Sequence, residues 1–195
     1  MTDQKASNQW TKSDKSYQNY MRFIHAKQNY QITFIDLLYV SNFKGGSATI
    51  NEEEEIVNNK LKNYSVLFSE IKDRFSSSIL CEMTPSDTVI LIDLANKAIG
   101  LTDVSSSSKI DGFGVSYLTT LLHFYFPNLL PILDRRVLHG LNLLKESDIS
   151  SDKQIKDIKR FYPDVIKAFQ INTFDKAIRK FDEELFIKPI TNAFS

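Results

Sequence analysis

Apolar residues recur along most of this chain at intervals of three to five, the spacing that places them on one side of a helix. In "EEIVNNKLKNYSVLFSEIKDRF" the stripe is Ile56, Leu61, Tyr64, Phe68, Ile71 and Phe75. Glu52 to Glu55 just ahead suit the positive end of a helix dipole and need no ligand. "TPSDTVILIDLANKAIG" carries Thr84 as an N-cap, Pro85 at the first helical position, Asp87 three residues after the cap and Gly100 as a stop. "VSYLTTLLHFYF" and "RRVLHGLNLLKE" read as two more striped helices, separated by "PNLLP", where Pro127 and Pro131 forbid a continuous helix. Phe174, Ile178, Phe181 and Leu185 mark a helix ended by Pro189, and "ITFIDLLYVSNF" a helix that breaks at "KGG". "LTDVSSSS" is a loop by composition. The fold expected is all-α, with no internal repeats and no linker-bounded domain.

With 195 residues the chain buries a core without covalent staples. Its single cysteine, Cys81, rules out an intramolecular disulfide and any cysteine-rich zinc or iron–sulfur site. The start is polar, and no apolar run approaches the roughly 20 residues of a membrane span, so a soluble, cytoplasmic protein is expected. The formal net charge is zero, which argues against an indiscriminate nucleic-acid coat. Its distribution is uneven: residues 1–30 hold five Lys/Arg against two acids, 51–103 five against ten, and 153–188 nine against six. Either the ends pack on the middle with solvated charged faces, or together they build a basic edge. The architecture that follows is a single two-lobed unit. Residues 51–147 form a central helical lobe, and 1–50 plus 148–195 join as the second.

The stretch "KIDGFGVSYLTTLLHFYFPNLLPILDRRV", residues 109–137, concentrates the candidate chemistry. Gly112 and Gly114 permit a tight turn leading straight into a helix, whose uncapped amides and dipole suit a phosphate. The bland alternative is a glycine-rich turn between helices. Asp134 reads equally as a plain N-cap for "RRVLHGLNLL".

From Ile110, Gly112, Phe113 and Gly114 to "LLPILDRRV", this stretch resembles the helix-hairpin-helix DNA glycosylase superfamily, which includes endonuclease III, the mispair adenine glycosylase and the 8-oxoguanine glycosylases. The interval of 20 residues from Gly114 to Asp134 matches that family, and the likeness covers about 30 residues. It implies a two-lobed helical fold and assigns the catalytic aspartate to Asp134. DNA contacts would fall to Lys109, Gly112, Phe113, Gly114, Val115, Arg135 and Arg136, with Lys44 of "NFKGG" reaching across the cleft. Ser116 stands where bifunctional members carry a lysine; the mispair adenine glycosylase is similar in carrying a serine there, which implies base removal without strand cleavage. Leu118 replaces a small alanine, and Ser107 occupies a usually apolar site.

The implied partner is double-stranded DNA with one base flipped out, bound by a monomer without a membrane. No cofactor and no iron–sulfur cluster are implied, and a monovalent cation at the hairpin is the one ion the resemblance allows. Cleaving an N-glycosidic bond develops positive charge on the sugar, which a carboxylate stabilises while it activates a water. A flipped base needs an aromatic wall, for which Tyr117, Phe124 and Tyr125 are near in sequence but equally suit the core. Arg135 and Arg136 suit phosphates or solvated pairs, and Lys44 suits DNA or a helix-ending turn. His25, His123 and His139 have no metal-ligand spacing. Two alternatives stand beside an active glycosylase: an inactive hairpin DNA-binding module and an all-helical protein-interaction domain.

Overall fold

A computed structural model of the chain describes residues 3–27, 31–46 and 49–188. Among these residues the regular structure is helical: α1 (Asp3–Ala26), α2 (Phe34–Phe43), α3 (Glu54–Phe75), α4 (Pro85–Gly100), α5 (Val115–Tyr125), α6 (Arg135–Gly140), α7 (Tyr162–Asn172) and α8 (Ile178–Ile187). Short 3-10 turns lie at Leu80–Glu82, Glu146–Asp148 and Ile158–Phe161, and the one β-type pairing is an isolated bridge between Ile149 and Ile155. No described helix is long and apolar enough to cross a membrane.

Local chemistry sets most of these boundaries. Thr84 caps α4 by accepting from the Asp87 amide at 3.2 Å, with Pro85 in the first turn. α2 ends at Lys44 because Gly45 and Gly46 take φ of +92° and +71°, a left-handed path that leaves the helix. α3 buries Leu61, Tyr64, Phe68, Ile71 and Phe75, but Ile56 is exposed and Val57 fills its place in the stripe.

Three expectations from the sequence are corrected. α6 stops at Gly140 rather than running to residue 146. Asn142 adopts φ +57°, Leu143 N–H bonds back to the Leu138 carbonyl, and Asn142 N–H to that of His139, so the helix closes in a Schellman turn. Phe174 is 85% exposed and lies before α8, in the connection from α7 to α8. The start of the chain, read over residues 1–20 only as polar, enters the long helix α1, which buries Trp10, Tyr17 and Tyr20.

α5 is central: every residue from Leu118 to Tyr125 is buried, and it packs on α1, α2 and α4. α3 lies on α2 and α4, and α7 covers α4. The two ends of the chain meet, since α8 packs on α1 as well as on α6 and α7. One continuous hydrophobic cluster draws on both ends and on residues 51–147. A buried polar knot ties α1, α2 and α5. Asp36 accepts from Tyr20 Oη at 3.0 Å, Tyr125 Oη at 2.9 Å and Lys27 Nζ at 2.7 Å. Because these partners satisfy the buried carboxylate, the knot fixes α2, and thus Lys44 at its end, against the core.

Candidate functional site

The loop 127–134 between α5 and α6 is anchored at three of its carbonyls. Leu80 N–H bonds to Asn128 O at 2.9 Å, His123 Nδ1 to Leu130 O at 2.8 Å, and Tyr162 Oη to Pro131 O at 2.9 Å. Leu133 N–H donates to Thr119 Oγ1 at 3.0 Å, stitching the loop to α5 one turn beyond its start. A buried loop needs its backbone groups paired, and here side chains from α5 and α7 supply the partners. Burial lowers His123 to about 4, so the ring is neutral and donates from Nδ1.

The result is a rigid mount for Asp134. Its Oδ1 accepts from the Val137 amide at 3.0 Å, capping α6, and Oδ2 faces Lys44 Nζ at 3.3 Å. Both readings of the aspartate therefore coexist: it is a cap, and it retains a carboxylate oxygen directed to the side of α2. The structure brings Lys44 and Asp134 together although 90 residues separate them.

They sit at a pocket of about 440 Å³, a size suited to a small organic group. Its apolar wall comes from Trp10 of α1, Phe43 of α2 and Phe186 of α8. Gln9, Lys12, Ser13 and Ser16, spaced along one face of α1, and Asn42 make the polar side. Arg179 and Asp182 of α8 also line it, joined by a hydrogen bond of 2.9 Å from Nη1 to Oδ2. The Arg179 guanidinium lies 3.7 Å from the Trp10 ring centre and 4.6 Å from that of Tyr17.

The hairpin does not line this pocket. Gly112 has φ +79°, and a Cβ there would overlap the Thr49 carbonyl oxygen, so this glycine lets residues 49–50 approach the turn. The Phe113 ring is in the core, edge-on to Tyr64, and its amide bonds to Ile110 O. Gly114 starts α5 at φ −99° with nothing within 4 Å of a built Cβ. The amides of Gly114, Val115 and Ser116 have no partner among the described residues. The turn is braced from α3. Glu52 accepts from Asp111 N–H at 2.7 Å and pairs with Lys60, whose ammonium also donates to Lys109 O at 2.7 Å. A positive charge thus already rests on a hairpin carbonyl. Lys109 itself is 3.8 Å from Asp111.

Arg135 donates to Lys153 O at 3.3 Å, while Arg136 donates to Phe186 O at 3.4 Å and stacks on that ring. Phe124 and Tyr125 are core residues, and Tyr117 packs on Phe113. Ser107 is exposed, and the buried serine is Ser108, whose hydroxyl accepts from Asn63 at 2.7 Å. No group of three or more His, Cys, Asp or Glu side chains suited to a metal occurs among the described residues.

Sequence reading missed Trp10, Phe186, Arg179 and Asp182. One signal was available: Asp182 falls four residues after Ile178 and three before Leu185, on the apolar stripe of α8, where an acid is out of place unless it serves a site. Compared with protein-family models, with curated proteins and with solved structures, the chain matches none of them.

Proposed function

We propose that this protein is a monofunctional DNA glycosylase, which removes a base from a nucleotide flipped out of duplex DNA and leaves the strand uncut. The observation that carries the reading is Asp134: a carboxylate fixed on a pinned loop, at the edge of an aromatic-walled pocket, 20 residues after a glycine turn that opens a helix. The free amides at the start of α5 receive a backbone phosphate, aided by the helix dipole. The flipped base enters beside Trp10, Phe43 and Phe186. Asp134 stabilises the positive charge that grows on the sugar as the C1′–N bond lengthens, and accepts a proton from the attacking water. Lys44 moves to a phosphate as DNA arrives, releasing Oδ2. Ser116 cannot form an imine with the opened sugar, so no β-elimination follows.

The test uses labelled duplexes carrying uracil, hypoxanthine or 7-methylguanine, treated with alkali after incubation. Wild type should create alkali-labile sites without direct nicking. Asp134→Asn should lower the rate by about 10²-fold or more while binding is retained. Salt-sensitive binding with no base release from any duplex would identify a DNA-binding module instead. A protein–DNA adduct trapped by borohydride would assign the chemistry to an amine and refute the mechanism.

A further inference from the structure

The pocket holds a second carboxyl that the mechanism above leaves unused. Asp182 is only 5% exposed and lines the same pocket as Asp134. Its Oδ2 accepts from Arg179, and its Oδ1 has no hydrogen-bond partner among the described residues. Arg179 is clamped between Trp10 and Tyr17 and also lies 3.9 Å from Asp14, so α1 holds the pair in place. The charged and titratable groups around Asp182 are Arg179 on its own helix, Tyr17 and Asp14 on α1, Lys44 at the end of α2, and Asp134 at the start of α6. α7 meets α8 through rings, Phe169 on Phe181 at 4.9 Å. Burial pushes Asp182 up to about 7. Arg179 opposes the rise, Asp134 adds to it, and Lys44 opposes it again.

We propose that Asp182 is the proton donor to the departing base, working alongside Asp134 in one pocket. The inference rests on the glycosylase reading. Two carboxyls in one site, one shielded and one at the edge, divide naturally into an acid and a base. As the C1′–N bond breaks, its electron pair passes to the base, and the Asp182 O–H proton goes to a ring nitrogen, so the base leaves neutral. Water oxygen bonds to C1′, and its proton goes to Asp134. Solvent then returns a proton to Asp182 and removes one from Asp134, so that one water is consumed overall. The substrate class served by this donor is the neutral base, such as hypoxanthine, whose departure as an anion is slow. A base that is already cationic, such as 7-methylguanine, leaves without it.

The experiment measures single-turnover release of hypoxanthine and of 7-methylguanine from duplex DNA between pH 5 and 9. Since Asp182 must be protonated to act, the wild-type rate on hypoxanthine should fall tenfold per pH unit above about 7, while that on 7-methylguanine should not. Asp182→Asn, which keeps an acceptor for Arg179, should slow hypoxanthine release about 10²-fold more than 7-methylguanine release and abolish the alkaline limb. Equal slowing on both substrates, or no alkaline limb in the wild type, would overturn the proton-donor role and leave the glycosylase reading intact. Failure of wild type to release any base would overturn both.

Discussion

The two glycines of the turn look interchangeable as letters, yet they do different work. Gly112 combines a left-handed φ with backbone contact from Thr49, whereas Gly114 sits in ordinary extended backbone facing open space. The chain showed where backbone freedom was needed, because only glycine takes such a turn cheaply. It could not show which glycine touches another segment, since residues 49–50 come from far away in sequence. We expect Gly112→Ala to destabilise the fold by about 1–3 kcal/mol in denaturant titrations, through strain and overlap together. Gly114→Glu should change stability by less than about 0.5 kcal/mol, yet abolish duplex binding by placing a carboxylate where the phosphate should sit. Unimpaired binding by a folded Gly114→Glu variant in a fluorescence anisotropy titration would reduce the hairpin to a turn. Asp134 was legible for a related reason: cap and catalyst both require a short carboxylate at a helix start, so one letter served either reading.

Among the elements, legibility followed the strength of the apolar stripe. α3 and α4 could be read from sequence because their stripes are regular and their ends carry acids, Thr84 and Pro85. α1 was missed because its buried residues, Trp10, Tyr17 and Tyr20, are sparse aromatics in a polar background. That omission also hid the pocket, much of whose wall comes from α1 and α8. α6 was overextended because its stop depends on Asn142 in a left-handed conformation, which asparagine tolerates without advertising. Within α6, Gly140 touches α8 closely: a Cβ there would lie 2.9 Å from Leu185 Cβ and Cδ2 and 3.1 Å from its Cα. Gly140→Val should therefore push α8 outward and move Asp182 relative to Asp134. We expect a loss of about 1–3 kcal/mol and slower base release, although Gly140 lines no part of the pocket. A variant with wild-type melting temperature and rate would show that α6 and α8 need no close seat.

For the molecule as a whole, zero net charge conceals an uneven distribution. The acidic middle of the sequence folds into α3 and α4, where Glu70, Asp73 and Asp93 share a groove with Arg74 and Lys97. The basic N-terminal segment folds into α1, which brings Lys12 to the candidate pocket beside Lys44. On the glycosylase proposal, this arrangement would orient the approaching duplex even though the protein carries no overall attraction for it. Binding should then be strongly salt-dependent, because each lysine that neutralises a phosphate releases counterions. A titration of duplex affinity against salt at fixed pH gives the number of such contacts directly. Lys12→Gln should make the log–log slope shallower by about 0.9, the loss of one phosphate contact, while Lys97→Gln in the acidic groove should leave the slope unchanged. Equal effects of the two substitutions would mean that DNA senses only total charge, and would remove α1 from the DNA-binding face. A change confined to Lys12 would place α1, and with it the pocket that Lys12 lines, on the DNA-binding face.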